Sequence, residues 1–381
     1  MLYSTSYATY GQELIQRQLL WLALGTIGAF VIRYVDYRLF ARFSPLLLLL
    51  LGGSLLYLAL ANLCYDADVI PKTWFGYLPL LADSPTKGSY RWLHFGFASV
   101  QPSTFAQVAI ILFLADYWNR HARHILEFWR GFAKPLGGIG LVVLLILSGG
   151  DLSTTVITGA LVFALSFIAG VRLRYLMLAL CAGGLVAGMA IMHNPERMSR
   201  LTGFRDPQLH KYEEGYQLWS SQLALGSGGW TGVGFTESRM KQNYLPEAPT
   251  DFIVAILGEE LGFIGVMALL AGYAAFFIVA CRIAAAAVDR TGMFIAVGIG
   301  MSTVLHAFVN LSVASGYGPT TGVTAPFLSY GGSSLVVCLA EVGLLLSILR
   351  ISGKQTLEEE MQAAVQPTPA VNLARRKKRN K

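Results

Sequence analysis

The residues best suited to chemistry sit where a polar, proline-rich segment runs into an apolar one. Leu245-Pro-Glu-Ala-Pro-Thr-Asp251 leads directly into Phe252-Ile-Val-Ala-Ile-Leu-Gly-Glu259-Glu260. An ionisable side chain at membrane depth is costly, so acidic residues in such a place mark a candidate functional site. Proline suits the first turn of a helix or the segment before it, and Thr250 or Asp251 is a suitable N-cap. Asp251 therefore has two readings by position: a plain helix cap, or a carboxylate at the mouth of a span that takes a proton as a general base. Glu259 and Glu260 lie deeper and read as groups that hold helices together by hydrogen bonds. Asp116 and Asp151 read as structural or topological residues, and the sequence offers no partner for Glu341 in the last apolar run.

The elements that must position these groups are membrane helices. The 381 residues are 54% hydrophobic and 13% charged, with mean hydropathy +0.53, whereas a soluble domain carries roughly a quarter charged residues. Apolar runs fall at 18–36, 44–64, 103–118, 136–149, 153–170, 175–193, 251–281, 292–314 and 333–350. At about 20 residues per crossing these predict an all-α polytopic bundle of about nine transmembrane helices. The 251–281 run exceeds one crossing, so part of it must tilt or project.

Cys64, Cys181, Cys281 and Cys338 lie in or beside apolar runs without paired spacing, which suggests neither a disulfide framework nor a zinc site. The +7 net charge lies mostly between apolar runs and lacks an aromatic-lined basic groove, so nucleic acid is not an expected partner. It reads instead as a topology signal. Lysine and arginine concentrate in the short loops around 33–42, 120–134, 172–174 and 282–290 and in the tail, which places these segments and the C-terminus in the cytoplasm. Three long segments, 65–102, 194–250 and 315–332, then face outward, and long loops on a compact bundle are usually functional. The chain divides into a membrane domain over 1–352, with its long outer loop at 194–250, and a disordered basic tail over 353–381 that can meet anionic membrane lipid.

Two further features lie in the long outer loop. Tyr212, Tyr216, Trp219 and Leu223 recur at helical spacing and make one aromatic-apolar stripe, as an interfacial helix shows, which reads equally as packing against the bundle or as contact with lipid substrate. Gly226, Gly228, Gly229, Gly232 and Gly234 lack the strand that a phosphate-cradling loop follows, so tight outer turns or backbone approach to a bulky ligand explain them better.

Longer motifs carry a resemblance. Gln217 to Glu260, reading QLWSSQLALGSGGWTGVGFTESRMKQNYLPEAPTDFIVAILGEE, and Pro319 to Ser334, reading PTTGVTAPFLSYGGSS, are similar to the outer loops of the SEDS (FtsW/RodA/SpoVE) family. Arg91-Trp-Leu, Gln101-Pro-Ser103 and Gly150-Asp-Leu-Ser-Thr-Thr155 match further motifs of that family, and the likeness runs from Leu2 to Arg350. Glu237-Ser-Arg-Met-Lys-Gln-Asn-Tyr-Leu-Pro-Glu247 is closer to the family's division-associated branch than to its elongation or sporulation branches.

The resemblance implies a glycosyltransferase of the bacterial inner membrane that polymerises lipid II into peptidoglycan during cell division. Undecaprenyl diphosphate would leave with inversion, and Asp251 would be the base. It implies a class B penicillin-binding protein and other divisome proteins as partners. Arg91, Arg205, Arg239 and Lys241 become candidate contacts for the diphosphate or muropeptide, since guanidinium and ammonium groups pair with phosphate. Glu247, Ser329 and Ser333 join them through their motifs. Two other readings stand beside this one: a lipid II transporter, or a scaffold that recruits a transpeptidase without catalysis.

Several positions depart from the family pattern. Thr104 and Gln107 stand where relatives have a glutamate and a lysine, Pro249 replaces a usual histidine, and Thr321 occupies a frequent lysine position. The lost lysine removes a cation beside Asp251. A divalent cation is the alternative source of that charge, although no ligand spacing indicates a metal site. The family has about ten spans of roughly 20 residues, and Leu2-Tyr-Ser-Thr-Ser6 resembles the end of its first. That segment follows Met1 directly, so almost the whole first helix is expected to be missing, either because translation starts at Met1 or, the favoured expectation, because the start codon was placed too far downstream.

Overall fold

In a computed structural model of the chain, residues 4–5, 13–69, 72–81, 85, 88–96, 98–213, 215–242, 244–245 and 247–365 are described. Eleven helices longer than eight residues follow one another. They are α1 (Glu13–Tyr34), α2 (Tyr37–Asp66), α3 (Pro102–Arg120), α4 (Lys134–Ser148), α5 (Leu152–Ala169), α6 (Leu173–Met192), α7 (Pro195–Arg205), α8 (Tyr216–Gly228), α9 (Ile253–Ala285), α10 (Arg290–Ser315) and α11 (Gly332–Val365). A two-stranded antiparallel ribbon pairs Leu93 with Val100 and His94 with Ser99 just before α3.

Among the described residues, eight helices are long and apolar enough to cross a membrane, α4 being counted together with the helical turn that precedes it, as Phe128–Ser148. The ninth apolar run is a helix as expected, α3, but its composition falls short of the other eight. The reason is its position. Ala106, Ala109, Ile110, Ile111, Leu114 and Trp118 are buried against neighbouring helices, with Ser103 and Gln107 on the same interior surface. A helix enclosed by protein has no need of a wholly apolar circumference. Small side chains let backbones approach, as where Gly298 of α10 lies against Ile111.

The outside of the bundle carries the opposite pattern. Leu49, Leu63, Leu185, Ile264 and Phe308 are exposed on helical surfaces, as lipid-facing residues are. The molecule is therefore a multi-pass membrane protein. Helix α11 continues to Val365, well into the segment expected to be a disordered tail, while 366–381 lie outside the described residues.

The over-long apolar run resolves into one helix broken at Gly262, whose φ of 66° and ψ of −164° are open to glycine and costly for other residues. Before the break, Ile253–Glu260 is buried; after it, Phe263, Ile264 and Met267 are exposed. A break at membrane depth leaves backbone groups that need partners. The glycine-rich segment supplies them: Val233 and Gly234 donate to the Glu259 and Glu260 carbonyls at 2.9 and 3.1 Å, and Phe263 and Ile264 donate to the Gly229 and Trp230 carbonyls at 2.8 and 3.2 Å. A Cβ at Gly232 would come within 2.0 Å of the Glu260 carbonyl oxygen. At Gly228 and Gly232 the close approach is to the protein's own backbone, where a bulky ligand was one expectation.

Candidate functional site

The long loops gather at one end of the bundle, and Asp251 lies in their midst. Helix α9 begins at Ile253 with Phe252 as its N-cap, which makes no side-chain capping bond. Asp251 thus stands one residue before the N-cap position rather than at it. Its backbone is fixed from three directions. Asn310 of α10 donates Nδ2 to the Asp251 carbonyl at 2.9 Å and to the Val323 carbonyl at 2.7 Å. The Ser329 hydroxyl donates to the Thr250 carbonyl at 2.6 Å and accepts from the Ala325 amide at 2.8 Å. The Tyr330 amide donates to the Pro249 carbonyl at 2.8 Å.

These bonds clasp 249–251 to the loop 323–330, and beneath them Leu245, Ala248, Phe252, Val313 and Ala325 make an apolar floor. The carboxylate faces the same loop, since a Cβ added to Gly322 would sit 3.8 Å from Asp251 Oδ2. Buried backbone polar groups that are all partnered make a rigid mount.

The other expected residues divide. Ser329 and Ser333 are both buried, and their hydroxyls serve the protein itself: Ser333 accepts from the Gln101 amide at 3.2 Å and donates to the Ser99 carbonyl at 3.3 Å. Glu247 accepts from the Thr250 hydroxyl at 2.9 Å, within the segment that carries Asp251. Lys241 is buried rather than presented, its Nζ 3.0 Å from Glu260 Oε1 and donating to Ser4 Oγ at 2.9 Å and to the Thr236 carbonyl. An apolar surround forces a charge to find its counter-charge, and Glu260 is fully buried. Glu259 holds the loop, accepting from Ser238 Oγ at 2.5 Å and from the amides of Arg239 and Met240.

Arg205 and Arg239 are exposed at the same end. Arg91 is half-buried, with Nη2 donating to the Gly150 carbonyl at 2.9 Å. Gln107, in the place of the lost lysine, is buried and donates to Thr158 Oγ1 at 3.0 Å. Among the described residues no three His, Cys, Asp or Glu side chains converge as a metal set. The aromatic stripe is not a packing face: α8 buries Leu218, Ser221, Ala224 and Gly228, while Leu223 is exposed and Tyr212 lies before the helix.

Sequence reasoning missed Asn310. A lone amide within an apolar run was its available signal. Arg197 and Arg200 were not singled out either, though their spacing puts them on one face of α7.

The fold is that of a polytopic helical membrane bundle with a carboxylate clasped among its long loops. The chain belongs to the FtsW/RodA/SpoVE family, described as "Cell cycle protein", whose sequence profile matches residues 1–354. It is 36% identical over 344 residues to a probable peptidoglycan glycosyltransferase FtsW of Saccharophagus degradans, covering 89% of this chain and 82% of that one. It is also 36% identical over 338 residues to stage V sporulation protein E of Bacillus subtilis, covering 88% and 87%. Among solved structures, it resembles a chain of a peptidoglycan synthase complex that coordinates polymerization and crosslinking, with TM-score 0.72, 27% identity and coverage of 92% and 94%. The rod shape determining protein RodA of Thermus thermophilus is similar with TM-score 0.62 and 27% identity, covering 92% and 91%.

Proposed function

We propose that this chain is a peptidoglycan glycosyltransferase that polymerises lipid II, with Asp251 as general base. The observation that carries the reading is the clasped Asp251: the residue is immobilised by Asn310 and its neighbours, one residue ahead of the N-cap position of α9. A carboxylate so mounted is held where a substrate hydroxyl can deliver its proton.

The Asp251 carboxylate takes the proton of the acceptor sugar hydroxyl. The hydroxyl oxygen bonds to the anomeric carbon of the donor as the bond from that carbon to the diphosphate oxygen breaks. The electron pair leaves on undecaprenyl diphosphate, so the anomeric configuration inverts. Arg91, Arg205 and Arg239 supply positive charge toward the departing diphosphate or the muropeptide, and Glu247 orients Thr250 beside the base. Lys241 supports the fold through Glu260.

The orientation follows the charge of the short loops: the long-loop end faces outward from the inner membrane, and the C-terminus is cytoplasmic. Residues 1–352 form the membrane unit, and 353–381 a basic tail whose first part extends α11. The similarity to a chain of a peptidoglycan synthase complex supports a penicillin-binding protein as partner, here one of class B; further divisome proteins join it on the family resemblance alone. Co-purification with a co-expressed class B protein is the expected result, and failure to associate under conditions that preserve activity contradicts it.

The function itself is tested with purified protein in lipid nanodiscs supplied with lipid II, with and without that partner. Glycan chains that a muramidase digests are the expected product. No polymer under either condition, from folded protein, overturns the reading.

A further inference from the structure

We infer that Arg91, Arg197 and Arg200 form one anion site at the long-loop end, and that it takes the diphosphate of the polyprenyl-linked substrate; this inference rests on the proposed function. Residues 88–91 lie between two elements. On one side is Gly150, whose carbonyl accepts from Arg91 Nη2 at 2.9 Å and which directly precedes Asp151. On the other is α7, where Glu196 Oε1 would lie 3.8 Å from a Cβ at Gly88 and Arg197 follows in sequence. The Arg91 guanidinium is thereby brought toward Arg197 and, one turn on, Arg200.

Burial first, and then the charges of Arg91 and Arg200, push the Arg197 guanidinium down from its ordinary value, against a smaller upward pull from Asp151 and Glu196. Among the described residues none of the three arginines pairs with a carboxylate within 4.0 Å. Arg91 Nε is buried without a hydrogen-bond partner. Arg197 has one recorded bond, Nη1 to the Ala190 carbonyl at 3.0 Å, although a guanidinium carries five donors. Like charges drawn together, partly desolvated and under-bonded, are what an anion rich in acceptor oxygens relieves.

The cluster also connects to the base. Asp151 accepts from Gln101 Nε2 at 3.0 Å, the Gln101 amide donates to Ser333, and the neighbouring Ser334 hydroxyl shares a hydrogen bond of 3.0 Å with Thr324, in the loop that Asp251 faces. An anion held at the arginines is therefore on the same rigid framework as Asp251.

The test measures binding by the full chain in neutral-lipid nanodiscs of undecaprenyl diphosphate, undecaprenyl monophosphate, inorganic diphosphate and phosphatidylglycerol, for the natural protein, Arg197→Gln, Arg197→Lys and Arg200→Gln. Diphosphate-bearing lipid should bind best, each glutamine variant should weaken it at least about tenfold, and the lysine variant should lie between. Thermal melting and elution profile establish that each variant is folded; Arg200→Gln provides the answer if Arg197→Gln does not fold. Unchanged undecaprenyl diphosphate affinity in folded glutamine variants overturns the site, as does equal loss for phosphatidylglycerol, which would make it a general lipid-headgroup contact. Polymerisation of lipid II by the natural protein is scored separately, so the site can fail while the function stands.

Discussion

Asn310 ties Asp251 to the last long loop: its side-chain amide donates to the carbonyls of both Asp251 and Val323. A helix buried in the bundle centre thereby fixes the residue that precedes the buried half of α9. Asn310→Leu removes both bonds while keeping a similar volume. Two buried carbonyls lose a partner, at about 1–3 kcal/mol each, so a lowered melting temperature is expected together with reduced polymerisation. Unchanged rate and melting would show that the clasp does not position Asp251.

Ser329 makes the second half of the clasp. Ser329→Ala leaves the Thr250 carbonyl and the Ala325 amide without their recorded partner and should slow polymerisation by roughly tenfold, consistent with a displaced base. A rise in KM with unaltered kcat would instead assign Ser329 to ordinary substrate binding.

Lys241 and Glu260 form a buried pair. Removing one partner of such a pair costs about 3–5 kcal/mol because the other charge is stranded. Lys241→Met should therefore sharply reduce folded yield, and Lys241→Met with Glu260→Gln should recover much of it. Wild-type stability for the single variant would place Lys241 among the substrate contacts after all.

The glycine segment gives a contrast inside one loop. Gly232→Ala meets the Glu260 carbonyl and a φ of +81°, whereas a Cβ at Gly226 meets nothing within 4 Å. The first should destabilise by roughly 2–4 kcal/mol and the second should be tolerated, by melting in detergent. Equal behaviour of the two would contradict the stitched break in α9.

Much of this architecture is legible in the sequence because membrane burial is written in long apolar runs. The helices stand where those runs stand, and the over-long run announces its own irregularity. What remained hidden depends on pairing across long separations. Nothing local distinguishes Lys241, buried against Glu260, from the exposed Arg239 two residues earlier. Ser329 and Ser333 carry motif resemblance but not their hydrogen-bond partners, which lie far away in sequence. The packing reading of the aromatic stripe fails because small residues, not large ones, make the close face of α8 against α9, where Gly228 meets Gly258. Asp251 itself was visible through its setting, while its place one residue ahead of the N-cap depended on where α9 begins.

The central claim is that the Asp251 carboxylate accepts the acceptor hydroxyl's proton. Asp251→Asn keeps size and hydrogen-bonding capacity while removing basicity. Its polymerisation of lipid II, measured in nanodiscs beside the natural protein and normalised to folded protein, is the most direct test. A fall of roughly 10²-fold or more, with melting temperature and undecaprenyl diphosphate binding retained, is the predicted result; glycan synthesis at near-normal rate would contradict it.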